Sequence, residues 1–525
     1  MARKGEASMI RREFAKVVAG SLATVMGRPA WAQAPAILRS ETSRPSIPHG
    51  VSSGDVDATA GVVWSRTDRP SRMVVEYSTR ESFQDVNRVQ GPLALPENDF
   101  TAKLLLEKLP PGQTIRYRVT FVDVSDRRSV SPPVEGQFTT PALGKTPIRF
   151  AWGGDTAGQG FGIDVARGGM LTYDSIRRAR PQFFLHSGDH IYADNPIPAE
   201  IRLDDGSTWK NITTEATSKV AETLAEYRGR YQYNLIDDNF RRFAAEVPIL
   251  AQWDDHEVVN NWYPGEMLED PRYQVKSVDV LAARARQAFF DYIPTRLHPA
   301  DPRRLYRSLR YGPSLEVFLL DQRSYRGKNS RNVQAKPGAE TAFLGTDQVI
   351  WLAKALKAST ATWKVIASDM PVGLVVRDGP TDFEALANAD AGPPKGRELE
   401  LADLLRTVQA AGVRNLVWLT ADVHHAAALE YHPTRATFTE FDPFWEFVAG
   451  PLHAGTFGPS ELDPTFGPEM KFSAVPKGLK PNRSPAEGLQ FFGTLDIDPK
   501  DEAMTVALND RNGKRLYSVD LHPRI

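Results

Sequence analysis

Four apolar runs in this chain end in an acidic residue. "IRFAWGGD" closes on Asp155 and "QFFLHSGD" on Asp189; "VPILAQWDDHE" carries Asp254 and Asp255, and "NLVWLTADVHH" carries Asp422 two residues before His424. Asp189 is followed within five positions by His190, Tyr192 and Asp194. A single Asp after a strand is a common turn former or helix cap. Four of them, accompanied by imidazoles and a phenol, fit another purpose. If the strands are neighbours, their terminal acids converge in the crevice beyond the carboxyl ends of an α/β sheet, where ligands sit. Converged carboxylates raise one another's pKa unless a cation compensates. Two cations about 3.5–4 Å apart, bridged by a shared carboxylate, relieve that repulsion and suit phosphoryl chemistry, one polarising a phosphate while the pair acidifies a water. With no cysteine and only ten histidines, any metal must be held by oxygen and imidazole.

Neighbouring residues admit two readings each. His256, between Asp255 and Glu257, either faces a substrate or starts a helix bonded to backbone. His190 and His425 support ligands or simply pack. Asn260 and Asn261 bind a metal or substrate, or cap a helix, and Asp254 orients a neighbour. Arg323 and Arg326 in "LDQRSYRG" clamp a phosphate bidentately or form structural ion pairs. The aromatic, Gly-rich stretch 441–459 forms the rim of a pocket or packs between strand and loop.

The elements that must position these groups fall into two textures. "GVVWSRTD", "RMVVEYSTR", "TAKLLLEKL" and "TIRYRVTFVD" are short runs, several alternating, separated by turns rich in Pro, Gly or Asp. They predict a small β-sandwich over 45–141, resembling fibronectin type III, with "TTPALGKTP" as a linker. From 148 to 525 strands alternate with helices, which predicts an α/β domain with central sheets and flanking helices. Helical spacing is read over 215–235, 278–293, 346–359 and 397–412, and buried strands in "WKVIASDM" and "NLVWLTAD". Three runs near the C-terminus are expected to complete the sheet at one side. The polar stretches 325–345 and 376–396 read as long loops.

At 525 residues, with 41% hydrophobic and 25% charged residues, the composition is that of a multidomain globular protein. A formal net charge of −1 provides no global field for nucleic acid or anionic membrane. No nucleic-acid partner is expected. Nor are a P-loop, a GxSxG elbow or a HExxH helix present. At the start, Arg11-Arg12 precede a mildly apolar stretch and small residues at Ala30 and Ala32. This predicts a twin-arginine signal over 1–32, recognised by the twin-arginine export machinery and then removed. The stretch is too weakly apolar for a membrane anchor, so a periplasmic or extracellular protein is expected.

The ordered set "GGD", "GDHIY", "DDHE" and "ADVHH" resembles the motifs of the calcineurin-like and purple-acid-phosphatase-like metallophosphoesterases. "PHGVSSGDVDATAGVVWSRTD", "WDDHEVVNNW" and "LDQRSYR" narrow the resemblance to the PhoD-type alkaline phosphatases. The resemblance implies Asp155, Asp189, Tyr192 and His424 as ligands of Fe(III). Asp189 would bridge to a second metal held also by Asp255 and Asp422. The better-known two-metal enzymes have asparagine where Asp255 stands and histidine where Asp422 stands, and "WKVIASDMP" lacks their further histidine. The second site is therefore all oxygen, which suits Ca2+ and disfavours zinc. In some relatives a cysteine binds the ferric ion near Gly154-Asp155; here Asp155 takes that role. His256 would protonate the leaving group or stabilise charge. The function implied is an exported alkaline phosphomonoesterase acting on small phosphoesters through metal-activated hydroxide. The alternatives are a phosphodiesterase or phospholipase D-type activity on the same scaffold, and a non-catalytic calcium-dependent binding protein.

Overall fold

The computed structural model describes residues 44–524, which form one compact unit. The twin-arginine segment lies outside the described residues. Two large mixed sheets carry the fold. The nine-stranded sheet runs, in spatial order, through Arg515–Leu521, Met504–Asp510, Phe491–Ile497, Ile148–Gly153, Phe184–Ser187, Ile249–Gln252, Val51–Gly54, Gly61–Arg66 and Thr101–Leu106. The seven-stranded sheet runs through Arg307–Tyr311, Leu315–Leu319, Trp363–Ala367, Leu416–Thr420, Phe444–Val448, Ala427–Tyr431 and Pro468–Ser473. Phe184–Ser187, Ile249–Gln252 and Trp363–Ala367 are buried at every position, as parallel strands covered on both faces must be.

The sheets stack on each other. Phe150, Trp152, Leu185 and Leu250 of one pack with Val317, Val365, Leu419 and Phe447 of the other in a common core. Helices Leu171–Ala179, Leu224–Asn234, Asp238–Glu246 and Val278–Tyr292 cover the outer face of the first sheet. Thr346–Ala358 and Glu398–Ala410 cover that of the second. Val278–Tyr292 buries Val278, Leu281, Ala282, Ala285, Ala288 and Phe289, the spacing of one helical stripe.

The sandwich lies at the N-terminal end of the described chain. Its four-stranded sheet is Asn87–Ala94, Ser71–Ser78, Thr114–Asp123 and Val134–Thr139; in Thr114–Asp123 the residues Ile115, Tyr117, Val119 and Phe121 point inward. The facing strands, Val51–Gly54, Gly61–Arg66 and Thr101–Leu106, are the last three of the nine-stranded sheet. Gly54 pairs in parallel with Ile249, and a Cβ there would stand 2.5 Å from the Ile249 carbonyl. The sandwich thus shares a layer with the α/β part.

Two sequence expectations shift. The helix read over 215–235 is a single turn, Glu215–Thr217, and a separate helix, Leu224–Asn234. Thr223 starts the latter, its hydroxyl accepting the Glu226 N–H at 3.3 Å while the Glu226 carboxylate accepts the Thr223 N–H at 2.9 Å, a reciprocal cap that periodicity does not display. Helices Leu171–Ala179 and Asp238–Glu246 were not read at all. The three C-terminal strands do complete one side of the nine-stranded sheet, and 325–345 and 376–396 are loops but for a single turn and two short strands.

Candidate metal centre

Three of the four acid-tipped strands are adjacent and parallel: Ile148–Gly153 pairs with Phe184–Ser187, which pairs with Ile249–Gln252. The fourth, Leu416–Thr420, belongs to the facing sheet. The acids therefore meet from two stacked sheets rather than along one, at the end where both sets of parallel strands terminate. Donor atoms of Asp155, Asp189 and His424 lie within 4.8 Å of one another, as do those of Asp189, Asp255 and His256, and those of Asp254, Asp255 and Asp422. Asp189 and Asp255 each belong to two of these groups, so the clusters are contiguous.

The backbone is bent to aim these side chains. Asp155, Asp189, Asp422 and His424 have φ of 69°, 52°, 65° and 53°, a left-handed conformation that costs an L-residue roughly 1–2 kcal/mol. Gly188 precedes Asp189 at φ 101°, and a Cβ on it would sit 2.4 Å from the Asp254 Cβ. The Gly of "GDHIY" lets the two strand ends close on each other.

Asp155 is 1% exposed, and neither carboxylate oxygen has a hydrogen-bond partner. Burial first, and the charge of Asp254 next, push its carboxyl well above the usual carboxylate range. Burial likewise raises Asp189, with His256 opposing, and raises Asp422, with Asp254 and Glu384 adding to it. A buried, unpartnered carboxylate among others needs a cation, and the donors present fit one.

His424 donates its Nδ1–H to the Gly455 carbonyl at 2.5 Å, which fixes the tautomer and turns Nε2 inward. Nε2 lies 2.8 Å from the Tyr192 hydroxyl and 3.7 Å from Asp155 Oδ1. Burial lowers the His424 pKa to about 4, so the ring is neutral, the form that binds metals. Burial and then Asp189 and Asp155 hold the Tyr192 phenol well above its ordinary value.

His256 stands across the site. Its backbone N–H donates to Asp255 Oδ1 at 2.9 Å and Asp189 Oδ1 at 3.2 Å, and its Nδ1–H to Asp194 Oδ1 at 2.7 Å. Burial opposes its protonation, but Asp194, Asp255 and Asp189 outweigh it and hold the imidazole well above its usual pKa. His256 also lines an open cleft of about 430 Å3, with Asp189, Asp255, Asn261, Arg377, Asp422, His424 and Phe457.

Arg323 does not line that cleft. It is fully buried behind the acids. Nε donates to Asp254 Oδ1 at 2.6 Å; the guanidinium also contacts Glu384 and lies 3.3, 3.5 and 3.7 Å from Asp369, Asp422 and Asp255. Burial works against its charge and those carboxylates more than restore it. Its surroundings are those of the ion-pair reading, not of a phosphate clamp. Arg326 is likewise buried, against Glu384. Asn261 does border the cleft; its N–H donates to Asp255 Oδ2 at 2.6 Å and its side-chain amide to Asp378 Oδ1 at 3.0 Å. His190 stacks on His186 at 3.6 Å and His425 bonds the Val423 carbonyl; neither joins the donor groups. Phe457 reaches the rim, while Phe441 and Phe444 belong to an apolar core.

Sequence reasoning noted Asp194 beside Asp189 but gave neither it nor Glu257 a role. Besides His256, Asp194 accepts the Asn260 N–H at 3.0 Å. Glu257 accepts N–H groups of His190, Asp254 and Asp189 at 2.6, 2.8 and 3.2 Å, tying two strand ends together. Glu257 lies inside "DDHE" and Asp194 two residues beyond "GDHIY", but only the approach of these two loops in space gives them their distant partners.

Residues 150–508 match the family described as PhoD-like phosphatase, and 30–142 match its N-terminal domain. Alkaline phosphatase D of Bacillus subtilis (strain 168) is 26% identical over 406 residues, covering 73% of this chain and 65% of that relative's length. Among solved structures, that of PhoD superposes with a TM-score of 0.67 at 21% identity, over 91% of this chain and 93% of the other. The purple acid phosphatase PPD1 from yellow lupin (Lupinus luteus) seeds superposes with a TM-score of 0.56 at 12% identity, over 91% and 74%.

Proposed function

Because the chain belongs to the PhoD-like phosphatase family, we propose that it is an exported, metal-dependent hydrolase of phosphoric esters, with monoesters as its main substrates. The observation that carries this reading is Asp155, a buried carboxylate with two unpartnered oxygens, within 4.8 Å of donor atoms on Asp189 and His424. Asp155, Asp189, Tyr192 and His424 would hold Fe(III), and Asp189, Asp255 and Asp422 would hold Ca2+. Tyr192 argues for the ferric ion, since only a strongly Lewis-acidic cation displaces a phenol proton that burial and two carboxylates retain. The second set is all carboxylate, and oxygen donors suit a hard cation. When bound, such a pair supplies polarisation of the phosphoryl oxygens and acidifies water.

The chain's own residues supply the rest. Asp194 accepts the Nδ1–H of His256, so Nε2 is the atom left to serve the cleft. A proton held there can pass to the departing ester oxygen. Asn261 keeps Asp255 oriented through its backbone N–H, and Arg377 stands at the cleft mouth, where an anionic ester arrives. Export by the twin-arginine route to the periplasm or beyond completes the reading; among the described residues no helix is long and apolar enough to cross a membrane.

Elemental analysis beside the hydrolysis of nitrophenyl phosphate and bis(nitrophenyl) phosphate tests it. Iron and calcium with faster monoester turnover are expected, and Asp189→Ala should lose both metal and activity. Faster diester turnover transfers the assignment to a phosphodiesterase. Calcium without iron or hydrolysis marks a binding protein instead. Replacing Arg11 and Arg12 together by lysine should stop export.

A further inference from the structure

A wide cavity lies away from the carboxylates. It measures about 1030 Å3 and opens on the side where the stacked sheets end. Thr101–Leu106 is the outermost strand of one sheet and Arg307–Tyr311 of the other. No residue lining it lines the metal-site cleft. Leu105, Leu143 and Leu297 border it at 40%, 73% and 53% exposure. Leucines gathered in the open and rimmed by polar groups mark a contact site, and a mainly apolar cavity with a few convergent polar groups is the usual form of a small-ligand site.

The polar groups carry an excess of one charge. Asp55 and Asp57, the acids on the wall, are already paired with Arg307 and Arg296, each at 2.6 Å. Lys103 donates its ammonium to the Phe290 and Ile293 carbonyls, and Arg304 and Arg310 remain. The Arg304 guanidinium carbon lies over the Tyr306 ring, 3.9 Å from its centroid, and 5.2 Å from that of Trp351, with Nε donating to the Tyr306 carbonyl at 3.0 Å. Arg310 donates Nε to the Gly312 carbonyl at 3.0 Å. Among the described residues neither has a carboxylate within 4.0 Å. A stacked guanidinium is held rigid, and its planar fork matches a carboxylate's two oxygens.

We propose that this cleft is a second binding site, for a single-chain amphiphile with a carboxylate head. The alkyl chain lies on Leu105, Leu143 and Leu297, and the head is held by Arg304 and Arg310. Charge complementarity selects the anion, and the exposed leucines select the chain. The site is separate from the metal centre and does not depend on the reading given to it.

Calorimetric titration of the metal-loaded full chain with dodecanoate, kept below its micelle concentration, tests the proposal. One saturable site is expected, with no saturation by acetate or by dodecyltrimethylammonium. The double variant Arg304→Gln/Arg310→Gln should bind at least about tenfold more weakly, as expected from losing charge-assisted hydrogen bonds. Leu297→Asp should abolish binding, and both should keep the parent's melting temperature and rate on nitrophenyl phosphate. Equal binding of the cationic amphiphile, absence of saturation by dodecanoate, or unchanged affinity in either variant would overturn the proposal.

Discussion

Asp194→Asn separates a His256 that handles a proton from one that only fills space. In the parent, Asp194 Oδ1 accepts the His256 Nδ1–H at 2.7 Å and Oδ2 accepts the Asn260 N–H at 3.0 Å. Asparagine is nearly the same size but has one acceptor. Turned toward His256, it sets an amide nitrogen against the Asn260 N–H; turned the other way, it sets two donors against each other at the imidazole. Either way the negative charge that favours the imidazolium is gone. A charge-assisted hydrogen bond is worth about 1.5–3 kcal/mol, so proton delivery by His256 should fall by roughly 10–150-fold. That loss should be visible only where the departing oxygen needs a proton. With an alkyl phosphate, whose leaving group is a poor one, kcat should fall by most of this factor. With nitrophenyl phosphate, whose leaving group departs as an anion, it should change by about threefold or less. Asp194 is in none of the three donor groups, so iron and calcium content should hold. Steady-state kinetics on the two esters, with elemental analysis of the same sample, decide it. Equal losses on both substrates, or loss of metal, would refute the role given to His256.

Tyr192→Phe removes the phenol 2.8 Å from His424 Nε2; a ferric phenolate absorbs visible light, so the parent should be coloured and the variant should lose both the band and most of its iron. A coloured variant would remove Tyr192 from the ligand set. Gly188→Ala forces a Cβ to 2.4 Å from the Asp254 Cβ at φ 101° and should destabilise the fold by about 2–4 kcal/mol, read as a lower denaturant midpoint. Glu398 tests the electrostatics of the second sheet's outer face. Burial, then the charge of Asp463, raise its pKa to about 9. The folded form thus holds a proton that the unfolded chain releases near pH 4.5, so its contribution is present below that pH and is lost as pH rises toward 9. Glu398→Gln keeps an acceptor for Asn388 Nδ2 and the Lys395 N–H, both at 3.0 Å, and should remove the loss. Its advantage over the parent should grow from pH 5 to pH 8, with a ceiling of about 5 kcal/mol. A constant difference in unfolding free energy across that range would contradict the assignment.

Strand ends were legible in the sequence because burial writes them plainly. Phe184–Ser187 and Ile249–Gln252 are buried throughout, so the first polar residue after each apolar run marks where the strand leaves the core. Asp189 and the pair Asp254-Asp255 could be read from that change, while the choice of Asp255 over Asp254 rested on the family resemblance. What the chain does not display is which runs face each other. Leu416–Thr420 looks like the other three but lies in the opposite sheet, and the site exists because two sheets stack with their parallel strands ending together. A related limit hid Glu257: Asp254 is on its own loop, but Asp189 and His190 reach it only because their strand pairs beside Ile249–Gln252 in the same sheet. It also left Arg323 open. An arginine in a loop has no local mark distinguishing a cation that greets substrate from one that neutralises buried acids; burial decides, and burial here comes from Asp254, Glu384 and Asp369 on separate segments. That single guanidinium does not balance the cluster. Asp155, Asp189, Asp254, Asp255, Glu257, Asp369 and Glu384 are all buried, and of these Asp155, Asp189 and Glu257 form no ion pair with Arg323. The arginine settles the rear of the cluster. The front, where neither Asp155 oxygen has a hydrogen-bond partner, is left for cations that the fold does not itself supply.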